Sequence, residues 1–215
     1  PVLFFDKIEK IKINAIPIVD TSGSMCNGND SIGKAYAIGH YIAKCSTYAP
    51  NKVITFSSRP TLLTLGEENV YNDGWGYRTE NRKQNLSNCK NQYEREIQSM
   101  YTGDCSNTDF GKVMELLKDL TDLPEYLVVL SDCEFDAGSN QSKSELERLW
   151  KEHGYTTKIV WWNLNERNIT VPEMDSHGNI YLSGYSPMLL KFLEVGFDGT
   201  AFLNKLLDEY KKAVG

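Results

Sequence analysis

Asp20, Ser22 and Ser24 stand two residues apart, directly after the apolar run Ile16-Pro17-Ile18-Val19. Such a run reads as a strand buried on both faces of a parallel sheet, and open α/β sheets bind ligands outside the carboxyl ends of their strands. Alternation with Thr21 and Gly23 lets a tight turn aim three oxygens at one point. Two more oxygens belong to the same pattern. Thr108 opens a predicted helix after the loop 102–107, and Asp132 follows Tyr126-Leu127-Val128-Val129-Leu130, the most continuously apolar run and the predicted central strand. Taken singly, Thr108 reads as a helix cap and Asp132 as a solvated acid. Gathered at adjacent strand ends, the five oxygens suit a hard divalent cation, Mg²⁺ first, Mn²⁺ as a substitute and Ca²⁺ less well. Without a cation, two converging carboxylates repel and one takes up a proton. Glu134 and Asp136 read as acids of a solvated loop.

The elements that must position these residues follow from periodicity. A first strand is predicted over about 13–19. Ser31 can cap a helix with Ile32, Ala35, Ile38, Ile42 and Cys45 at three- and four-residue spacing. His40 falls inside it and reads as a partly buried helix residue rather than a ligand. Strands at 52–56 and 61–65, separated by Ser57-Ser58-Arg59-Pro60, form a hairpin. A long loop follows at 66–84, then a helix over about 86–100 that leads to the loop before Thr108. The helix after Thr108 carries Phe110, Val113, Leu117 and Leu120 on one face. A further helix opens at Ser142 or Ser144 and runs to about His153, and the strand 157–162 contains Trp161 and Trp162 as structural residues. The stretch 166–179 is polar and irregular. A short strand at 180–182 precedes two closing helices, at about 187–195 and 200–213, the first with Ser186 and Pro187 as cap and first-turn signals.

These elements predict a Rossmann-like three-layer α/β/α sandwich: a mainly parallel six-stranded sheet with one antiparallel edge strand near Thr61–Leu65. Because the hairpin turns at the metal end, Gly66 must leave on the far side, which puts the loop 66–84, with Trp75 and Tyr77, away from the cation.

With 215 residues and 40% hydrophobic content the chain is expected to form one domain, residues 1–215, cut from a larger protein, since it starts at Pro1. No stretch has the ~20 apolar residues of a membrane span. The net charge of −6, without a basic block, speaks against direct nucleic-acid binding. Five cysteines without paired spacing point to reduced thiols and a cytoplasmic setting.

The order Asp20-x-Ser22-x-Ser24, then Thr108, then Asp132 resembles the metal-ion-dependent adhesion site of von Willebrand factor type A domains. The resemblance covers about residues 12–213. Thr21-Ser22-Gly23-Ser24-Met25, Thr108-Asp109 and Ser131-Asp132-x-Glu134 are similar to the A domains of the Ro ribonucleoprotein autoantigens. The run 180–191, Ile-Tyr-Leu-Ser-Gly-Tyr-Ser-Pro-Met-Leu-Leu-Lys, is closer to a related uncharacterised family of large DNA viruses, plants and fungi. The resemblance implies Ser22, Ser24 and Thr108 as hydroxyl ligands, with Asp20 and Asp132 acting directly or through water. It implies a protein partner whose carboxylate completes the coordination sphere, in a Ro-like parent.

The expected function is therefore metal-dependent protein–protein recognition by a monomeric, non-enzymatic domain. The first alternative is Mg²⁺-dependent phosphoryl transfer with Asp20 as acceptor, although Ser22 occupies the place where dehalogenase-like phosphatases put a second aspartate. The second is a ribonucleoprotein component that binds RNA mainly outside this domain. A serine hydrolase lacks its G-x-S-x-G frame and an evident histidine partner, and no phosphate-binding glycine loop is present.

Overall fold

The computed structural model describes residues 12–26, 30–56, 60–68, 86–101, 110–118, 120, 122–132, 148, 151–165, 173–176, 178–185, 189, 192 and 195–214. Its elements are β1 (Ala15–Asp20), a 3-10 turn (Ser24–Cys26), α1 (Ser31–Cys45), β2 (Lys52–Phe56), β3 (Thr61–Thr64), α2 (Gln92–Ser99), α3 (Phe110–Lys118), β4 (Tyr126–Ser131), β5 (Lys158–Asn163), β6 (Glu173–Met174), β7 (Ile180–Ser183) and α4 (Gly199–Val214).

The strands form one sheet in the order β3-β2-β1-β4-β5-β7-β6. Pairing is parallel from β2 through β7, and antiparallel for β3 on β2 and β6 on β7. The expected class holds, and β4 is the middle strand. The sheet has seven strands rather than six and an antiparallel strand at each edge. The extra strand lies inside 166–179, a stretch that reads as irregular. β6 has two residues, both exposed, too few to show the period-2 alternation that marks a strand.

Alternate residues build the two cores. Ala15, Val19, Val128, Leu130, Val160 and Trp162 face α1, with Phe192, Phe197 and Phe202 on the same side. Ile16, Ile18, Leu127, Val129, Ile159 and Trp161 face α3, which contributes Phe110, Val113, Met114 and Leu117. Strands buried on both faces read as near-continuous apolar runs, and β1 and β4 are buried at every position, including the polar residues that end them, Asp20 and Ser131. Both tryptophans of β5 are core residues, one in each layer.

α1 lies unusually close to the sheet. A Cβ on Gly39 would come within 2.7 Å of Val19 Cγ2 and 3.5 Å of Leu130 Cδ1, so only glycine fits at this approach.

Two predicted boundaries are corrected. Ser31 is the first helical residue of α1; Asp30 holds the cap position in left-handed conformation (φ 51°) and makes no side-chain cap bond. The helix predicted over 86–100 is regular only over Gln92–Ser99. Its start is set by Asn91, whose side chain accepts from Glu94 N–H at 2.8 Å. Gly66 leaves at the end of the sheet where β2 begins, since Leu65 N–H bonds Asn51 C=O at 2.8 Å. That is the far side from Asp20, as predicted. Trp75 and Tyr77 lie outside the described residues, as do the hairpin residues 57–59, the helix start at Ser142 or Ser144, and Ser186 and Pro187.

Candidate metal centre

The strand order reverses between β1 and β4. β1 is followed outward by β2 and β3, whereas β4 is followed by β5 on the other side. A crevice opens beyond the strand ends at such a point. Asp20 is the last residue of β1, and Asp132 directly follows β4.

The turn after β1 sorts its side chains. Thr21 is drawn away toward β2: its N–H and Oγ1 donate to Phe56 C=O at 2.9 and 3.2 Å. That leaves its neighbours at the crevice. Ser22 N–H donates to Asp20 Oδ1 at 2.9 Å, and the Ser22 and Ser24 hydroxyls are 3.1 Å apart. Met25, buried in the 3-10 turn, accepts the Asp132 N–H on its Sδ at 3.1 Å. This contact ties the β1 turn to the end of β4.

Asp20 has no solvent exposure and Asp132 very little. Asp20 Oδ2 accepts from Ser131 Oγ at 2.6 Å. Burial pushes the Asp20 carboxyl up to about 6. Hydrogen bonds from Ser131 and Ser22 pull it back in part, and the nearby Asp132 charge adds to the rise. No cationic side chain is among the described groups acting on Asp20.

Four of the five sequence candidates, Asp20, Ser22, Ser24 and Asp132, thus stand on the loops at one switch point. Thr108 lies outside the described residues, as do Glu134 and Asp136. Among the described residues no three His, Cys, Asp or Glu side chains converge, so a cation here would rest on two carboxyls and hydroxyls. That oxygen-only set fits Mg²⁺, which retains waters and needs few protein anions. The buried acid supplies the electrostatic demand.

Sequence reasoning missed Ser131 as a partner of Asp20. The signal was present: a lone hydroxyl ends an otherwise apolar central strand, one residue before the acid. It also missed Glu96. This third buried acid accepts from His40 Nε2 at 2.6 Å, Lys44 Nζ at 2.9 Å and Gln92 Nε2 at 2.9 Å. Burial opposes its ionisation, yet the donors from Gln92, His40 and Lys44 prevail and hold it at about 2. An ionised carboxylate only accepts, so the His40 proton sits on Nε2. Burial lowers the His40 pKa in turn, partly against the pull of Glu96. His40 lies inside α1 with its Nε2 committed to Glu96.

A profile of the family described as "Domain of unknown function (DUF7788)" matches residues 14–211. No curated protein matches the chain. Among solved structures, the Ro (RSR) protein of Deinococcus radiodurans overlays with a TM-score of 0.53 at 15% identity, over 86% of this chain and 34% of that one. The chain thus spans about a third of that protein, and the likeness carries the von Willebrand A-like fold. Proximal thread matrix protein 1 of the mussel byssus overlays at 0.48 and 14% identity, over 89% of this chain and 48% of that one. BatB of Bacteroides thetaiotaomicron overlays at 0.45 and 13%, over 89% and 99%. Among the described residues no helix is long and apolar enough to cross a membrane.

Proposed function

The chain belongs to the DUF7788 family, and from its own residues we propose that it is a divalent-metal-dependent protein-recognition module. Asp20, Ser22, Ser24, Thr108 and Asp132 would hold the ion. The ion would supply an electron-poor centre, and a carboxylate from a protein partner would complete its shell.

One observation carries this reading. Asp20 is wholly buried at the switch point beside a second acid, and the donors on its oxygens among the described residues are all neutral. A structural acid in that position would be expected to have a cationic neighbour. Among the described groups that act on Asp20 there is none, and a bound cation would supply the compensating charge. A Ro-like parent and a cytoplasmic setting belong to the same proposal.

Calorimetric titration with Mg²⁺ or Mn²⁺ tests it. Thr108→Ser keeps a hydroxyl and should bind metal like the parent chain, whereas Thr108→Val keeps the shape and should bind at least ten times more weakly. Asp20→Ala should abolish the metal-induced rise in Tm that native-state binding produces. Equal metal responses in all four proteins would overturn the assignment.

A further inference from the structure

Seven large apolar side chains are exposed among the described residues, and four of them share one stripe of α4: Leu203, Leu207, Tyr210 and Val214, each more than half exposed. Their spacing of four, three and four residues aligns them along one side of a helix and is the seam repeat of paired helices. Another side of α4 is already engaged, since Phe202 packs against Phe192 of the core, with centroids 5.3 Å apart. The stripe continues beyond the helix. Leu203 and Met174, a fifth exposed apolar residue at 61%, line the same groove of about 780 Å³, together with Tyr126 and Phe197. This groove lies at the end of the sheet where β4 and β5 begin, away from Asp20.

We propose that this stripe is the interface of a two-fold homodimer in which α4 packs antiparallel against α4 of a second copy. The pattern is its own complement. Leu207 meets Tyr210 of the second copy, Leu203 meets Val214, and each contact occurs twice, as a two-fold axis requires. The antiparallel arrangement also sets the two helix dipoles head to tail. The stripe and Met174 expose on the order of 600 Å² per copy, so a pair buries roughly 1,200 Å², the lower bound of stable specific interfaces. A reversible dimer follows, not a permanent one. A membrane surface is the poorer occupant, because Asp208 and Glu209 interrupt the basic character of the helix. The inference is independent of the metal reading and departs from the expectation of a monomer. With a net charge of −6 on each copy, added salt screens the mutual repulsion and strengthens the dimer.

Sedimentation velocity on the full chain, from low micromolar to several hundred micromolar, decides it. The expected result is a monomer–dimer equilibrium that tightens severalfold in high salt. Leu207→Glu with Tyr210→Glu should remain monomeric throughout with an unchanged thermal melt. Asp208→Lys, on the same helix but outside the stripe, should still dimerise. Should the double glutamate variant fail to fold, Leu207→Ala with Tyr210→Ala should weaken association at least tenfold. A parent chain that stays monomeric across the range overturns the proposal, and so does a dimer that survives the stripe variants.

Discussion

Asp20 and Glu96 are both buried carboxyls, and their surroundings drive them in opposite directions. Glu96, on α2, is clasped by Lys44, His40 and Gln92 and held at about 2. Asp20, at the switch point, has hydroxyl and backbone donors and a neighbouring acid, and is pushed up to about 6. Glu96 has its cation within the chain and does a structural task, joining α2 to α1. Asp20 has none among the described groups that act on it, and under the function proposed above its site would take its cation from solution. Burial alone does not distinguish a structural acid from a functional one; the source of the compensating charge does.

The contrast is broken most strongly at Glu96. Glu96→Ala leaves three donors unmatched, one of them on a largely buried histidine. It should cost about 3 kcal/mol in urea unfolding, with part of the loss recovered because Lys44 can return to solvent. Metal binding should be untouched. A comparable loss from Asp20→Ala in metal-free buffer would erase the distinction between the two acids.

The pH dependence should carry opposite signs in separate windows. Asp20 has a folded pKa above its ordinary value of 3.8, so its contribution is complete below that value and disappears as pH rises through about 6. The displacement corresponds to at most about 3 kcal/mol. Glu96 has a depressed folded pKa, so its contribution is present above 4.5 and is lost as pH falls toward 2. Urea titrations at stepped pH should show the metal-free chain weakening between about 4 and 6, with Mg²⁺ flattening that limb alone.

Asp20→Asn sharpens the same point. It removes the buried charge but turns one acceptor into a donor facing Ser131 or Ser22. Without metal near pH 7.5 it should gain about 1 to 2 kcal/mol, the lost charge penalty less one hydrogen bond, and its Tm should no longer respond to Mg²⁺. The smallest effect belongs to Ser131→Ala. Losing the 2.6 Å bond to Asp20 should cost about 1 kcal/mol and move the upper pH limb of the stability curve to higher pH.

What could be read from the sequence follows the range of the forces involved. β1, β2, β4 and β5 announce themselves as apolar runs because strands covered on both faces have no polar side to show. Asp20, Ser22, Ser24 and Asp132 are visible because each lies within a few residues of the end of such a run. β6 was not, because Glu173 and Met174 are held by backbone pairing to β7, which leaves no signature in side-chain type. The start of α2 was misplaced because Leu86 reads as helical, while the cap at Asn91 is a local hydrogen bond that competes with helix continuation. Glu96 looked like one more polar residue in a polar segment. Its partners His40 and Lys44 are more than fifty positions away, and only the packing of α1 on α2 brings them together.

The contact at Gly39 has a mechanical consequence. With no side chain between helix and sheet, α1 rests on Val19 and Leu130, the residues immediately before Asp20 and Ser131. Those neighbours are the buried carboxyl and the hydroxyl that orients it. The two strand ends and the helix that begins beside them therefore behave as one stiff block. A single methyl at position 39 would act as a shim, lifting the helix by tenths of an ångström and prying the two halves of the site apart from below.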